Sequence, residues 1–342
     1  MRGAQTLPAS AETFEHWVQC WRIQLIKAFF KISFPAVLMA AAAATLPAAQ
    51  LSTDARTAIP HDIQQLVVVD YRAMQNSQAA MDLKDRVMPP ELKQFDDALN
   101  KSGFNDNHDV DQLAFVLFRP KSTSDDLVTV GIAQGQFPTD DILANFRKQK
   151  VKPTILRTNR IYPLLKTGMV LCFVDPSTMV FGSTDAVKKA LDARDGVAPS
   201  MLTNAPIMDA MRTVDSATLW SVLDQKGTQT MMKQLLGEAG SVTDFDTVKK
   251  RLLASWYSMD FQHGVKFDLA ISTGDAFAAA TISSLLNAAL IYRKMSGSDT
   301  EKQALAATDI NSDSGKLSVH FSTSDNQFSA LLQSPLFKSM VH

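Results

Sequence analysis

The chain has 342 residues, of which 46% are hydrophobic and 20% charged, and its formal net charge is −1. That balance excludes a disordered chain and leaves room for one large domain or two ordinary ones. It also excludes the strong basic field that would gather nucleic acid or anionic lipid. The short basic run Arg147, Lys148, Lys150 and Lys152 reads as a solvated helix end.

The N-terminus carries an address. Lys27 and Lys31 precede the apolar run Ile32–Leu46, and Pro47-Ala48-Ala49-Gln50 follows it. A positive region, a short apolar stretch and small residues predict a secretory signal, cut after Ala48 or Ala49. The run is shorter than the roughly 20 apolar residues of a membrane span. If residues 32–49 were retained instead, they would form a signal anchor and the chain's only membrane contact. Residues 1–26 are long for a leader, with Trp17 and Trp21 among them, and the functional start is expected near Leu25. Cys20 lies before the apolar run and does not match a lipoprotein site. Removal of the leader leaves Cys172 as the sole cysteine, so no intramolecular disulfide is expected. The apolar surroundings of Cys172, Met169 to Val174, predict a buried, unreactive thiol.

Residues 50–61 read as a linker, and residues 62–200 as a first α+β repeat. Ile63–Tyr71 is strand-like, and Ala80–Lys101 is helical with a break at Met88-Pro89-Pro90. Strands follow at Leu113–Arg119 and Leu127–Phe137, a helix at Asp140–Lys148 and a strand near Thr154–Leu164. Met169–Val174 and Thr178–Gly182 form a hairpin around Asp175-Pro176-Ser177, then a helix over Ala186–Ala193 capped by Thr184 or Asp185. Residues 201–337 repeat the order. Pro206–Val214 is a short helix, Thr218–Asp224 a strand, and Gln229–Leu236 and Phe245–Ala254 are helical. Trp256–Gln262 and Val265–Thr273 are strands, Phe277–Met295 a helix and Lys316–Thr323 a strand. The expected fold is α+β: two tandem ferredoxin-like (β-α-β-β-α-β) repeats, with antiparallel sheets and helices packed on them.

The two halves differ in strand patterning. Tyr257, Met259 and Phe261 alternate with polar residues, as do Val265, Phe267, Leu269 and Ile271, and Leu317, Val319 and Phe321. Period-two alternation predicts one buried and one wet face. Leu113–Phe118 and Met169–Val174 are apolar at every position and predict strands covered on both sides. Phe277–Ile291 lacks charge, but Thr281, Ser283, Ser284 and Asn287 suit a helix packed on a sheet rather than a membrane span.

Candidate chemistry is sparse. Asn105-Asp106-Asn107-His108-Asp109-Val110-Asp111 alternates oxygen donors as calcium loops do. Gln112 stands where the turn glycine belongs, however, and Phe118 where the bidentate glutamate belongs, so a polar loop is expected. The histidines (His16, His61, His108, His263, His320 and His342) show no metal-ligand spacing. His263 suits a hairpin turn. Gly182-Ser183 stands between strand and helix, but Phe181 and Asp185 occupy the glycine positions of a nucleophile elbow, so Ser183 reads as part of a helix-starting turn. The wet face of the second half gathers Asp260, Gln262, Lys266, Asp268 and His320. Carboxylates beside a histidine can do acid–base work, and they also arise from cross-strand pairing on a solvated face, which is the reading adopted.

Gly182-Ser183 through Ala186-Val187-Lys188-Lys189-Ala190-Leu191, then Asn204-Ala205-Pro206 and Leu219-Trp220, resemble a loose group of exported bacterial proteins of unknown function built from repeated α+β units. The resemblance spans Ile59–Phe337, and it implies export and a repeated fold but no catalytic residues. The expectation is therefore an exported, non-catalytic binding or interaction protein of the cell envelope, periplasmic or secreted. It has no catalytic, cofactor or metal residues, and its partner is a protein or small molecule that the sequence does not identify. The alternatives are a hydrolase using the polar residues of the second sheet and a signal-anchored envelope component.

Overall fold

The computed structural model describes residues 50–88, 90–119, 127–164, 167–236, 245–296, 298–306 and 308–334. The expected leader Ile32–Leu46, with its cleavage site, lies outside these residues, as does Phe337. The described strands are β1 (Ile63–Asp70), β2 (Val110–Phe118), β3 (Val128–Gly135), β4 (Thr154–Leu156), β5 (Asn159–Pro163) and β6 (Val170–Asp175). They continue with β7 (Thr178–Gly182), β8 (Leu219–Leu223), β9 (Leu252–Asp260), β10 (Val265–Thr273), β11 (Asp309–Asp313) and β12 (Lys316–Thr323). The chain divides into two compact units. One comprises Leu51–Ile63 and Met88–Asn204. The other comprises Gln64–Val87 and the chain from Ala205 onward, so the first strand groups with the C-terminal half.

The first unit holds an antiparallel sheet in the order β2-β3-β7-β6-β5-β4. Both faces are covered over β2, β3, β7 and the start of β6, as the continuous apolar strands predict, whereas β4 is exposed. On one face Phe181 lies over Gly131, where a Cβ would come within 2.2 Å of its ring, so only glycine fits. Phe95, from helix Pro90–Asn100, stacks on Phe181 at 4.7 Å. The opposite face presents Ala114, Ile132, Val180 and Cys172 in one row across four strands, all buried. Helix Thr184–Arg194 packs there, with Ala186 Cβ beside Gly182. Its N-cap is Ser183, whose Oγ accepts from the Ala186 N–H at 3.3 Å. The cap is thus one residue earlier than expected, because Ser183 keeps the extended backbone that a cap needs.

The second unit holds an antiparallel sheet in the order β11-β12-β10-β9-β8-β1. Val265, Phe267, Leu269, Ile271, Leu317, Val319 and Phe321 all point into the core, as their alternation predicts. Helix Gln225–Leu236 crosses this face, tied by Thr228 Oγ1 to Ser255 Oγ at 2.9 Å. Helix Ala276–Ser296 packs on β10, β11 and β12. Phe328, from helix Asp325–Leu332, meets Phe261 edge-on. No helix among the described residues is long and apolar enough to cross a membrane.

The α+β class holds, and several finer expectations are corrected. The expected linker contains helix Thr53–Thr57 and buries Leu51, Ala55, Ala58 and Ile59. Thr154–Leu164 is two strands, parted at Arg157, whose φ is +56°. The helix expected over Phe245–Ala254 ends at Lys249, and Leu252 already begins β9. The strand at Lys316–Thr323 is half of a hairpin, because the polar segment Asp309–Asp313 pairs with it across Ser314-Gly315. Both turn residues have positive φ, +48° and +86°, the geometry of a tight hairpin.

Each unit contains a hairpin, a helix, a second hairpin and a helix, with the last strand returning beside the second, and the first unit adds the hairpin β4–β5 after its first helix. The shared order appears as β2-β3-β7-β6 in one and β9-β10-β12-β11 in the other. In both, the residue before the first strand ties off the end of the second. Gln136 N–H donates to Asp109 O at 2.9 Å, and Gly274 N–H donates to Arg251 O at 2.7 Å. The described strand pairs with a register are all antiparallel, as expected from the sequence.

Candidate functional site

Strands β9 to β12 turn their second face outward, and the pairing register arranges it in rows. One row reads Asp309, His320, Asp268, Ser258. The next reads Asn311, Ser318, Ala270, Trp256, and the third Asp313, Lys316, Ser272, Ala254. Beyond the first row, Ser322, Lys266 and Asp260 face one another. Lys266, Asp268, His320 and Lys316 are exposed, whereas Trp256 and Ser318 are half-buried.

The structure brings together some of the residues that the sequence grouped here. His320 Nδ1 is hydrogen-bonded to Asp268 Oδ1, with both side chains more than half exposed. Lys266 stands opposite Asp260 in register. Asp260 is already engaged, since its Oδ1 accepts from the N–H and Oγ1 of Thr218, each at 3.1 Å. Gln262 is exposed at the turn into β10 beside His263 and Gly264, whose φ is +85°. Sequence reasoning missed three members of the face. Trp256 lies under Lys316, whose Nζ is 5.4 Å from the ring centroid. Asp309 and Asn311 arrive on β11, with the Asn311 amide donating to Asp309 Oδ2 at 2.7 Å. The signal for Asp309 and Asn311 was the Ser314-Gly315 turn, which demands a partner strand upstream, and that for Trp256 was its place two residues before Ser258 in the alternation of β9.

The row does not set an imidazole between a serine and a carboxylate. A serine nucleophile needs the imidazole between itself and the carboxylate. Here Asp268 stands between Ser258 and His320, so the base is turned away from the only serine in its row. The pair is also solvated on both sides, where a water-excluding site would be needed to strengthen its electrostatics.

The remaining candidates serve the fold. Asp109 closes the one-turn helix Asp106–Asp109: its Oδ2 accepts from the Asn105 N–H at 2.8 Å, and its Oδ1 contacts His108 Nδ1 at 2.9 Å. Among the described residues no group of three His, Cys, Asp or Glu side chains could hold a metal ion. Cys172 is fully buried, and burial pushes its thiol up to about 11, so the thiolate that reacts is scarce. Nearby, Arg157 donates to Asp192 at 2.9 Å and to Asp195 at 2.7 Å, while Asn159 and Arg194 also donate to Asp195. Burial raises the Asp195 pKa, but the hydrogen bonds and charges of Arg157 and Arg194 outweigh it and hold the carboxyl below its ordinary value. The network pins the β4–β5 turn to the end of helix Thr184–Arg194. Asp275 caps helix Ala276–Ser296 and is likewise held low, first by the Ala278 N–H at 2.8 Å and also by Arg251 at 2.7 Å.

No family model matches the chain, and no curated protein matches it. Among solved structures it is similar to crystal form I of the protein TP0453, at 11% identity and a TM-score of 0.47, covering 81% of this chain and 95% of that one. Crystal form III of the same protein gives 10% identity and a TM-score of 0.46, covering 81% and 96%. Likeness at that level has no bearing on what this chain binds.

Proposed function

We propose that this chain is an exported, non-catalytic binding or interaction protein of the cell envelope, and that it binds through the outward face of β9, β10, β12 and β11. The observation that carries the reading is the contrast between the sheets. The first unit buries both faces of its central strands β3 and β7, whereas the second leaves a four-strand face that presents charged side chains, an imidazole and a half-buried indole. Exposed polar and aromatic groups held on a rigid sheet suit recognition. Export is supported by the run Ile32–Leu46 and the small residues after it. In the same reading the two units are copies of one hairpin-helix-hairpin-helix module, supported by their shared strand order and matching tie-off hydrogen bonds. Pelleting of the purified protein with envelope fractions tests the binding surface. Wild type should pellet, and the double variant Lys266→Glu, Asp268→Lys should lose at least about tenfold in apparent affinity, more than 1.4 kcal/mol. Equal pelleting of the two proteins would remove the surface from the account.

A further inference from the structure

Helix Ala276–Ser296 buries Ile282, Leu286 and Leu290 on its inner side. Its opposite side is apolar as well. Phe277, Ala280, Ser284, Ala288, Ile291 and Met295 are all exposed, and their spacing of three or four residues places them in one stripe along the helix. Phe277, Ile291 and Met295 are 69%, 58% and 78% exposed. No member of the stripe is charged. The polar side chains beside it are turned onto the helix itself: Thr281 Oγ1 donates to Phe277 O at 2.9 Å, and Asn287 Nδ2 donates to Ser283 O at 3.0 Å. A helix that is apolar all round is ordinarily covered all round.

We infer that this stripe is an interface between two copies of the chain, with the helices packed antiparallel about a two-fold axis at Ser284. A two-fold interface must be self-complementary, and the stripe is symmetric about that residue. Phe277 and Ile291 lie seven residues to either side of Ser284, and Ala280 and Ala288 lie four. Helices running in opposite directions across the axis therefore set Phe277 of one copy against Ile291 of the other, and Ala280 against Ala288. The small side chains at the crossing admit close approach, and the large ones fill the space beyond it. The charges agree with this pairing. Asp275 lies nine residues before Ser284 and Lys294 ten after it, so each carboxylate comes beside the ammonium of the other copy. Asp275 is bonded to Arg251 and is still 41% exposed, open to a second cation. A lipid surface would instead suit large apolar side chains along the whole stripe, flanked by basic ones. This stripe is small at its centre, and Thr281 and Asn287 flank it. From Phe277 to Met295 it runs about 27 Å on a helix about 10 Å across, roughly 270 Å² per copy against about 800 Å² in a standard interface. The expected dimer is therefore weak and reversible. The stripe lies on the buried side of the second unit's sheet, away from the outward rows, so the pairing is independent of what those rows bind.

Cysteine pairing in the full chain tests the inference, because a disulfide traps a weak dimer. Cys172 is buried and stays out of the reaction, and Cys20→Ser in the background removes the other thiol. A residue on the axis meets its own copy, so Ser284→Cys should form a covalent dimer on mild oxidation. In a mixture, Phe277→Cys and Ile291→Cys should cross-link to each other. Neither should cross-link readily to itself, since two copies of either position stand about 20 Å apart, far beyond the reach of a disulfide. In sedimentation equilibrium the chain should show a reversible monomer–dimer equilibrium. Ser284→Arg, which sets two cations together at the axis, should raise the dissociation constant about tenfold or more. Lys189→Glu, on the first unit's helix, should leave it unchanged. A chain that stays monomeric up to millimolar concentration overturns the inference. So does dimerisation that survives Ser284→Arg, and so does Phe277→Cys cross-linking to itself as fast as to Ile291→Cys. A monomer that floats with vesicles of zwitterionic lipid until Ser284→Arg is introduced also overturns it, and would assign the stripe to a membrane surface.

Discussion

The sheets of the two units meet water differently. In the first, Ala114, Ile132, Val180 and Cys172 form a dry row beneath helix Thr184–Arg194, and Phe115, Gly131 and Phe181 form the opposite dry row beneath Phe95. In the second, Phe267 and Phe321 are buried on one face, while Asp268 and His320, one residue away, are open to solvent. The same strand order thus supports a sealed sheet and a half-open one. The difference lies in where helices land. The helix after β7 packs on the face of Gly182, whereas the helix after β12 packs on the face already carrying Phe261. A shared topology consequently says little about which surface is free for recognition; the period-two pattern of each strand says much more.

The largest expected effect lies on the sealed sheet. Val180→Asp places a carboxylate in a dry row with no cation opposite, which should cost upwards of about 4 kcal/mol and abolish cooperative unfolding. Near-native stability in a denaturant titration would show that this face is wet. A paired substitution in the second unit sharpens the contrast. Phe267→Ala should cost about 3 kcal/mol or more through the cavity that it leaves. Its neighbour's change, Asp268→Ala, should cost well under about 1 kcal/mol, because an exposed pair with His320 contributes little. Equal costs for the two variants would mean that β10 is covered on both faces.

A smaller effect, confined to acid, concerns the Asp195 network. Its folded-state pKa lies below the ordinary 3.8, so its ion pairs contribute stability above that pH and lose it as pH falls through the lowered value. Asp195→Asn should therefore be less stable than wild type at neutral pH, and the gap should close below about pH 4. A gap that stays constant on acid titration would show that the carboxylate charge is not what ties the β4–β5 turn to its helix.

Much of this contrast was legible in the sequence. The alternation Val265–Ile271 and Leu317–Phe321 announced one buried face, and the unbroken run Leu113–Phe118 announced two. Other features were not legible, for physical reasons. Asp309–Asp313 is polar at every position but Ile310, so no hydrophobic period marks it, and only its pairing with β12 makes it a strand. Leu252–Ala254 follows a helical segment without a proline or glycine to mark the change, so the boundary was set by pairing with β10 rather than by local chemistry. Of the candidate site, the Asp268–His320 pair could be found by spacing alone. The position of Trp256 opposite Ala270 could not, because it depends on the register between β9 and β10.

The difference between the sheets is tested most directly by thiol accessibility at two positions of one chain. In the variant Asp268→Cys, native Cys172 reports the sealed sheet and the thiol introduced at position 268 reports the open one. After brief exposure of the native protein to a thiol reagent, peptide mapping by mass should show position 268 modified at the rate of a free thiol. Cys172 should stay unmodified until denaturant is added. Protection at position 268, or rapid modification of Cys172 without denaturant, would contradict the account.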